Sequence, residues 1–248
     1  MNLLAIDTAA DRFSVALASP GGVSSGIDTW LFEADAGLRH SELILDSIDI
    51  LFKMAALKPE SLDGVICMGG PGSFTGLRIG FSTAKGLALS LGIPLAAIPT
   101  LDCMVWPFYS LPGIIVPVLD AKKQAFFCAL YRDGKRLCPD MDAPPDAIAR
   151  IITGSLLPQP ENEWQNEVLL VGPGAKMLHE KMGTDTLRAG IDLRWGNAET
   201  LLLMAQETDI FVNSEKNLSI GPEYIRKSDA EISGTKSLRQ GPGDRKDL

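Results

Sequence analysis

The chain of 248 residues lacks several things. No apolar run reaches the ~18 residues that a membrane span requires. The start, MNLLAIDTAADRFSVAL, has no basic flank and meets Asp7 early, so it does not read as a signal peptide. Positive charge is short: 23 Lys and Arg stand against 31 Asp and Glu, a net charge of −8. A surface that grips nucleic acid by itself needs clustered Lys and Arg, so such a role is disfavoured. There are four cysteines, Cys67, Cys103, Cys128 and Cys138, with no CxxC pair. They read as reduced thiols of a cytoplasmic protein. Only two histidines occur, His40 and His179, with no HxxxH or HExxH spacing, so a metal site is not expected.

Catalytic motifs are missing as well. A phosphate-binding Walker loop needs a lysine at its helix start, and the nearest here, Lys85, comes too late. A nucleophile elbow needs GxSxG, which Ser73 in GPGSF does not satisfy. Asp7 in IDTA and Asp120 in VLDA are candidate carboxylates for a metal-bound phosphate. No glycines follow either one, so strand-end turns are favoured. No complete active site assembles from these residues, which argues against a self-sufficient enzyme and predicts no cofactor.

What the chain does have is GGPGSFTGLRIG, residues 69–80. It follows an apolar run, GVICM (64–68), that reads as a buried strand. It leads into an apolar-periodic helix ending at Leu91. Ser73 or Thr75 is the expected helix cap. The loop reads either as an ordinary strand-to-helix turn or as N–H groups facing an anion or a partner. In the helix, Gly76, Gly80, Ala84 and Ala88 recur every fourth residue and share one face. Two helical glycines cost about 1 kcal/mol each against alanine, so close approach of another element is implied. Spacing alone leaves open whether that element is the chain's own sheet or another subunit.

The order of elements is α/β. Strands are predicted at 2–10, 13–20 and 28–34, then a helix within 38–57 with Ser41 as its N-cap. That helix is apolar on more than one face, with Leu43, Ile44 and Ile48 among its residues. A strand at 93–99 follows the glycine helix, and Pro and Gly at 99–113 mark a lobe boundary. The second half again opens with two strands (113–121, 124–131). A helix (144–157), a polar loop (158–167), a strand–GPG–helix unit (167–182) and a helix (197–211) follow. Residues 221–227 read as a short ordered stretch at most, and 228–248 as a mobile tail. The two halves look like a pseudo-duplication. The expected division is 1–104 and 105–227, with part of 197–227 packing back on the first lobe, and 228–248 as tail.

The stretches AIDTAADRFSVAL (5–17), RHSELIL (39–45), GGPGSFTGLRIGFSTAKGLA (69–88), PTLD (99–102), VLDAKKQAFFCALY (118–131) and PEYIR (222–226) resemble the TsaB (YeaZ) family. They run nearly the whole chain in order. The resemblance implies a two-lobed, actin-like ATPase fold of the sugar-kinase and Hsp70 type. It implies a non-catalytic subunit of the machinery that makes threonylcarbamoyladenosine (t6A) in tRNA. In that family the partner TsaD holds the metal and transfers threonylcarbamoyl to N6 of adenosine 37 in tRNAs reading ANN codons, and the ATPase TsaE joins them. TsaD carries an HxxxH motif, whereas this chain has His40 followed four residues on by Ile44. The resemblance further implies pairing through helices 41–57 and 75–91, or self-association without TsaD, with tRNA met only through the complex. The candidate partner face is then His40, Leu43, Ile44, Ile48, Gly76, Gly80, Ala84 and Ala88. An ATP-binding kinase-like or ATPase enzyme of the same fold is the alternative, and the family's older glycoprotease label implies a peptidase. No nucleophile or metal set in the chain supports the peptidase.

Overall fold

The computed structural model describes residues 1–21, 26–37, 39–156, 166–183, 187–189, 196–207, 211 and 221–225. The predicted tail at 228–248 and most of the polar loop at 158–167 lie outside the described residues.

In chain order the first sheet takes β1 (Leu3–Asp7), β2 (Arg12–Pro20), β3 (Ile27–Asp35), β4 (Gly64–Gly70) and β5 (Leu95–Pro99). Helix α1 (His40–Ala55) joins β3 to β4, and α2 (Phe74–Leu91) joins β4 to β5. Next come α3 (Thr100–Val105), β6 (Ile114–Asp120), β7 (Phe126–Cys128), β8 (Tyr131–Arg132), β9 (Lys135–Arg136) and β10 (Met141–Ala143). The rest is α4 (Pro145–Gly154), β11 (Val168–Val171), α5 (Ala175–Met182), β12 (Leu187–Ala189) and α6 (Ala198–Glu207).

The two sheets repeat one another. The first has the order β3-β2-β1-β4-β5 and the second β10-β7-β6-β11-β12, with β8 and β9 attached beside β6. In each, three strands meander antiparallel and two more add in parallel through helical crossovers. Buried parallel strands need both faces covered, and their sequences are continuously apolar, as in LLAID, GVICM and IIVPV.

Helices supply that cover with an exchange between the halves. On the first sheet, α1 and α2 cover one face through Ile44, Leu51, Phe52, Phe81 and Ala84. The other face receives Leu201 and Leu202 of α6, which comes from the second half. On the second sheet, α4 and α5 cover one face through Ile148, Ile152 and Leu178. The other takes Leu101, Met104 and Val105 of α3, which comes from the first half. Fully burying a leucine contributes roughly 1.5–3 kcal/mol. Leu201 and Leu202, both within 1% of complete burial, therefore bind α6 firmly to the first sheet.

Three local expectations need correction. Helix α1 starts at His40 with Arg39 at the cap position and no side-chain cap, so Ser41 lies exposed inside the first turn. The predicted strand at 124–131 is split, because the Leu130 N–H bonds the Cys138 sulfur at 3.3 Å and its carbonyl takes the Leu137 N–H. Residues 100–105, read as part of a boundary, form α3 between Pro99 at its cap and Pro107 in the following 3-10 turn.

Candidate functional site

The turn joining β1 to β2, residues 8–11, is tied to several other elements through its backbone. Its carbonyls are used in succession. Ala9 accepts from the Ser73 N–H at 2.7 Å, and Asp11 from the N–H groups of Ala36 and Gly37 at 3.1 Å. Ala10 accepts from His40 Nε2 at 2.9 Å, which places the imidazole proton on that nitrogen. His40 is buried and stands edge-on to Phe13, so it belongs to the turn's scaffold.

The glycine strip has the same purpose. A Cβ on Gly72 would sit 2.5 Å from the Ala9 carbonyl oxygen. One on Gly76 would strike the Thr8 carbonyl oxygen, and one on Gly80 the Thr8 hydroxyl, both closer than real Cβ atoms ever come. Helix α2 thus carries glycine where the turn is pressed against it. Ser73 caps this helix, its hydroxyl accepting from the Gly76 N–H at 3.2 Å. Thr75 is not the cap.

Asp7 ends β1 and is buried. Its Oδ1 accepts from the Ala9 N–H at 2.9 Å, and its Oδ2 from the Asn197 N–H at 3.0 Å and the Asn197 side-chain amide at 2.8 Å. Burial pushes its pKa up from the ordinary value, and these bonds pull against that shift. Asp7, Ser14 and Glu33 are direct neighbours across β1, β2 and β3. Each accepts one backbone N–H at the start of α6: Asn197 on Asp7, Ala198 on Ser14 at 3.1 Å, Gly196 on Glu33 at 2.6 Å. The first N–H groups of a helix need acceptors, and two carboxylates also favour the positive helix end. Nothing in the sequence pointed to this row, because its three members are joined only by sheet register.

Asp120, the second candidate carboxylate, accepts the Lys122 N–H at 2.7 Å and pairs with Lys122 Nζ at 3.1 Å. Both aspartates are therefore engaged by their own chain. Among the described residues, no three His, Cys, Asp or Glu side chains converge as metal ligands. Burial pushes the Cys67 and Cys128 thiols up to about 12, which removes them as nucleophiles.

The residues expected to form a partner face fall elsewhere. Ile44, Ile48, Ala84 and Ala88 are buried in the first-sheet core, and Leu43 packs against it. His40, Gly76 and Gly80 serve the turn. Apart from the half-buried Leu43 these residues are turned inward, because the stripe they form is the one the sheet and its turn occupy. The outward sides of the same helices carry other apolar residues: Leu45 and Met54 at 63% exposure, Ile50 at 42% and Leu89 at 62%.

Residues 221–225 also meet this region. The Glu223 N–H bonds the Gly69 carbonyl at 2.7 Å, and its carbonyl lies where a side chain on Gly70 would stand. Gly70 holds φ at +111°, a conformation suited to glycine. Among the described residues no helix is long and apolar enough to cross a membrane.

Comparison with known proteins is consistent across sequence and structure. A family model described as TsaD, tRNA N6-adenosine threonylcarbamoyltransferase, matches residues 34–233. The tRNA threonylcarbamoyladenosine biosynthesis protein TsaB of Haemophilus influenzae is 29% identical over 91% of this chain and 94% of its own length. The protein of the same name from Bacillus subtilis is 32% identical, and that match spans 53% of this chain and 56% of the relative. The crystal structure of a Pseudomonas aeruginosa protein with similarity to peptidase YEAZ superposes with a TM-score of 0.71 at 22% identity, covering 91% of this chain and 99% of that one. With the family model spanning most of its residues and relatives named TsaB along its length, this chain is a member of the TsaB (YeaZ) family, within the wider threonylcarbamoyltransferase family, and shares the fold of that Pseudomonas aeruginosa protein.

Proposed function

We propose that the protein is a non-catalytic pairing subunit of the t6A machinery, acting through a heterodimer with TsaD that TsaE joins, and meeting tRNA only within that complex. The observation that carries this reading is the set of large apolar side chains left in water on α1 and α2. Leu45, Ile50, Met54 and Leu89 project from two helices that lie side by side on one sheet face. On α1, Leu45 stands on one flank and Ile50 and Met54 on the other, with exposed Glu42, Asp46, Asp49 and Lys53 between them. The face thus pairs apolar flanks with a charged ridge, a mixture that suits a protein partner. The partner face is thus the outer side of the helices, with the small-residue strip beneath it as support for the fold.

The non-catalytic half rests on the β1–β2 turn. In open α/β sheets, ligands bind outside the carboxyl ends of the parallel strands. Here that ground is taken by the chain's own contacts: Ser73 on Ala9, α2 on Thr8, and Asn197 on Asp7. A phosphate or metal would have to displace them.

Co-purification of the tagged chain with the cognate TsaD tests the pairing. Wild type should retain TsaD, and Leu45→Asp combined with Leu89→Asp should lose it while still melting as a folded protein. Calorimetry of the lone chain with ATP tests the other half. Tight, saturable ATP binding would favour the kinase-like alternative and overturn this reading.

A further inference from the structure

The outward side of α2 carries one charged side chain fixed from two directions. Arg78, Ser82, Lys85 and Leu89 follow helical spacing and share a face. The guanidinium carbon of Arg78 lies 3.8 Å from the centre of the Phe74 ring and 5.7 Å from that of Tyr224. The two rings are themselves 4.7 Å apart at 42°. Arg78 Nε donates to the Tyr224 hydroxyl at 3.1 Å. Tyr224 is set by its neighbours: the Glu223 N–H on the Gly69 carbonyl, and Ile225 packed against the cluster of Leu101, Leu119 and Ala121. A tyrosine 146 residues away thus orients an arginine that remains exposed.

A stacked guanidinium loses little freedom when it binds, so it is pre-organised for recognition. With Nε turned to the tyrosine, the paired Nη groups offer the fork that grips a carboxylate in two parallel bonds. A phosphate would fit the same fork. The adjoining helix, however, presents exposed Asp46, with Asp49 paired to Lys53, in a chain of net charge −8, and this field opposes a polyanion more strongly than the single carboxylate of a protein.

We propose that Arg78, stacked on Phe74 and bonded to the Tyr224 hydroxyl, is a fixed anchor on the outward face of α2 that binds a carboxylate of the partner protein. This rests on the pairing reading above. The test titrates the full chain with purified TsaD by calorimetry at about 50 and about 500 mM salt, to screen the charge pair. Arg78→Ala should weaken binding about tenfold or more at low salt, with a smaller loss at high salt. Arg78→Lys should recover only part, since an ammonium keeps the charge and loses the fork. Tyr224→Phe removes only the hydroxyl and should weaken binding about threefold with the melting temperature unchanged.

Leu89→Asp separates the two claims. If it abolishes pairing while Arg78→Ala binds like wild type, the anchor is wrong and the pairing face stands. If neither variant affects binding, the pairing face is wrong and the anchor falls with it. If Arg78→Ala pairs normally but the assembled complex retains less tRNA, the arginine serves a phosphate and the carboxylate assignment is overturned. If it pairs normally and melts earlier, the clamp only pins residues 221–225.

Discussion

Helix α2 contains two glycines six residues apart that should respond oppositely to the same substitution. A Cβ on Gly86 would meet nothing within 4 Å. Gly86→Ala therefore gains helix propensity alone, about 1 kcal/mol. Gly80→Ala gains a similar amount, but its methyl would collide with the Thr8 hydroxyl, with the Thr8 Cβ and Cγ2 each at 3.3 Å behind it. Overpacking of this kind costs about 1–3 kcal/mol, and Thr8 has little room because the next three carbonyls are all bonded. The net change is a loss of up to about 2 kcal/mol. Gly76→Ala should be worse, since it meets a backbone oxygen that cannot rotate away. For a chain of this size 1 kcal/mol moves the melting temperature by about 2–4 °C. Thermal melts should show Gly86→Ala rising, Gly80→Ala falling and Gly76→Ala falling further. A rise for Gly80→Ala would refute the claim that the strip exists to seat the turn, and would return it to an outward face.

Other consequences are equally direct. Burial holds Asp7 above its ordinary value of 3.8, so the folded state keeps the proton more tightly than the unfolded one. Its contribution to stability is then full below the ordinary value and is withdrawn as pH rises through the raised one. The stability of wild type minus that of Asp7→Asn, from urea midpoints between about pH 4 and about pH 7, should fall with rising pH; a rising difference contradicts the assignment. Asn197→Ala removes a charge-assisted bond to a buried carboxylate and should cost about 2 kcal/mol in urea unfolding. Thiol labelling of the native protein should find Cys138 alone reactive, because Cys67, Cys103 and Cys128 are buried and their pKa values are raised. Rapid labelling of a second thiol would speak against that packing.

Much of the fold was readable from local pattern. LLAID, FSVAL and GVICM announce buried strands because both faces of the sheet are covered, and Ser73 announces the start of α2. Periodicity located α1 and α2 but could not say which neighbour lies against the four-residue strip. A glycine face looks alike whether it seats a foreign helix or the chain's own turn, and only Thr8 decides between them. The row Asp7–Ser14–Glu33 was invisible because strand register, set over the whole sheet, brings those residues together. Helix α3 was hidden by its prolines, which sit at its cap and beyond its end, where proline does no harm. His40 was expected on the partner face only because the resemblance implied pairing through the helix it starts, yet its ring is consumed by the Ala10 carbonyl.

The central claim is that this chain enables the transfer without performing it. Reconstituted t6A synthesis on unmodified tRNA, with TsaD, TsaE and the threonylcarbamoyl donor present, compares reactions with and without the chain. Modification should depend on the chain, persist with Asp120→Ala, and vanish with the Leu45→Asp, Leu89→Asp double variant that cannot pair. Full modification without the chain, or its loss on Asp120→Ala while pairing survives, would contradict a supporting role.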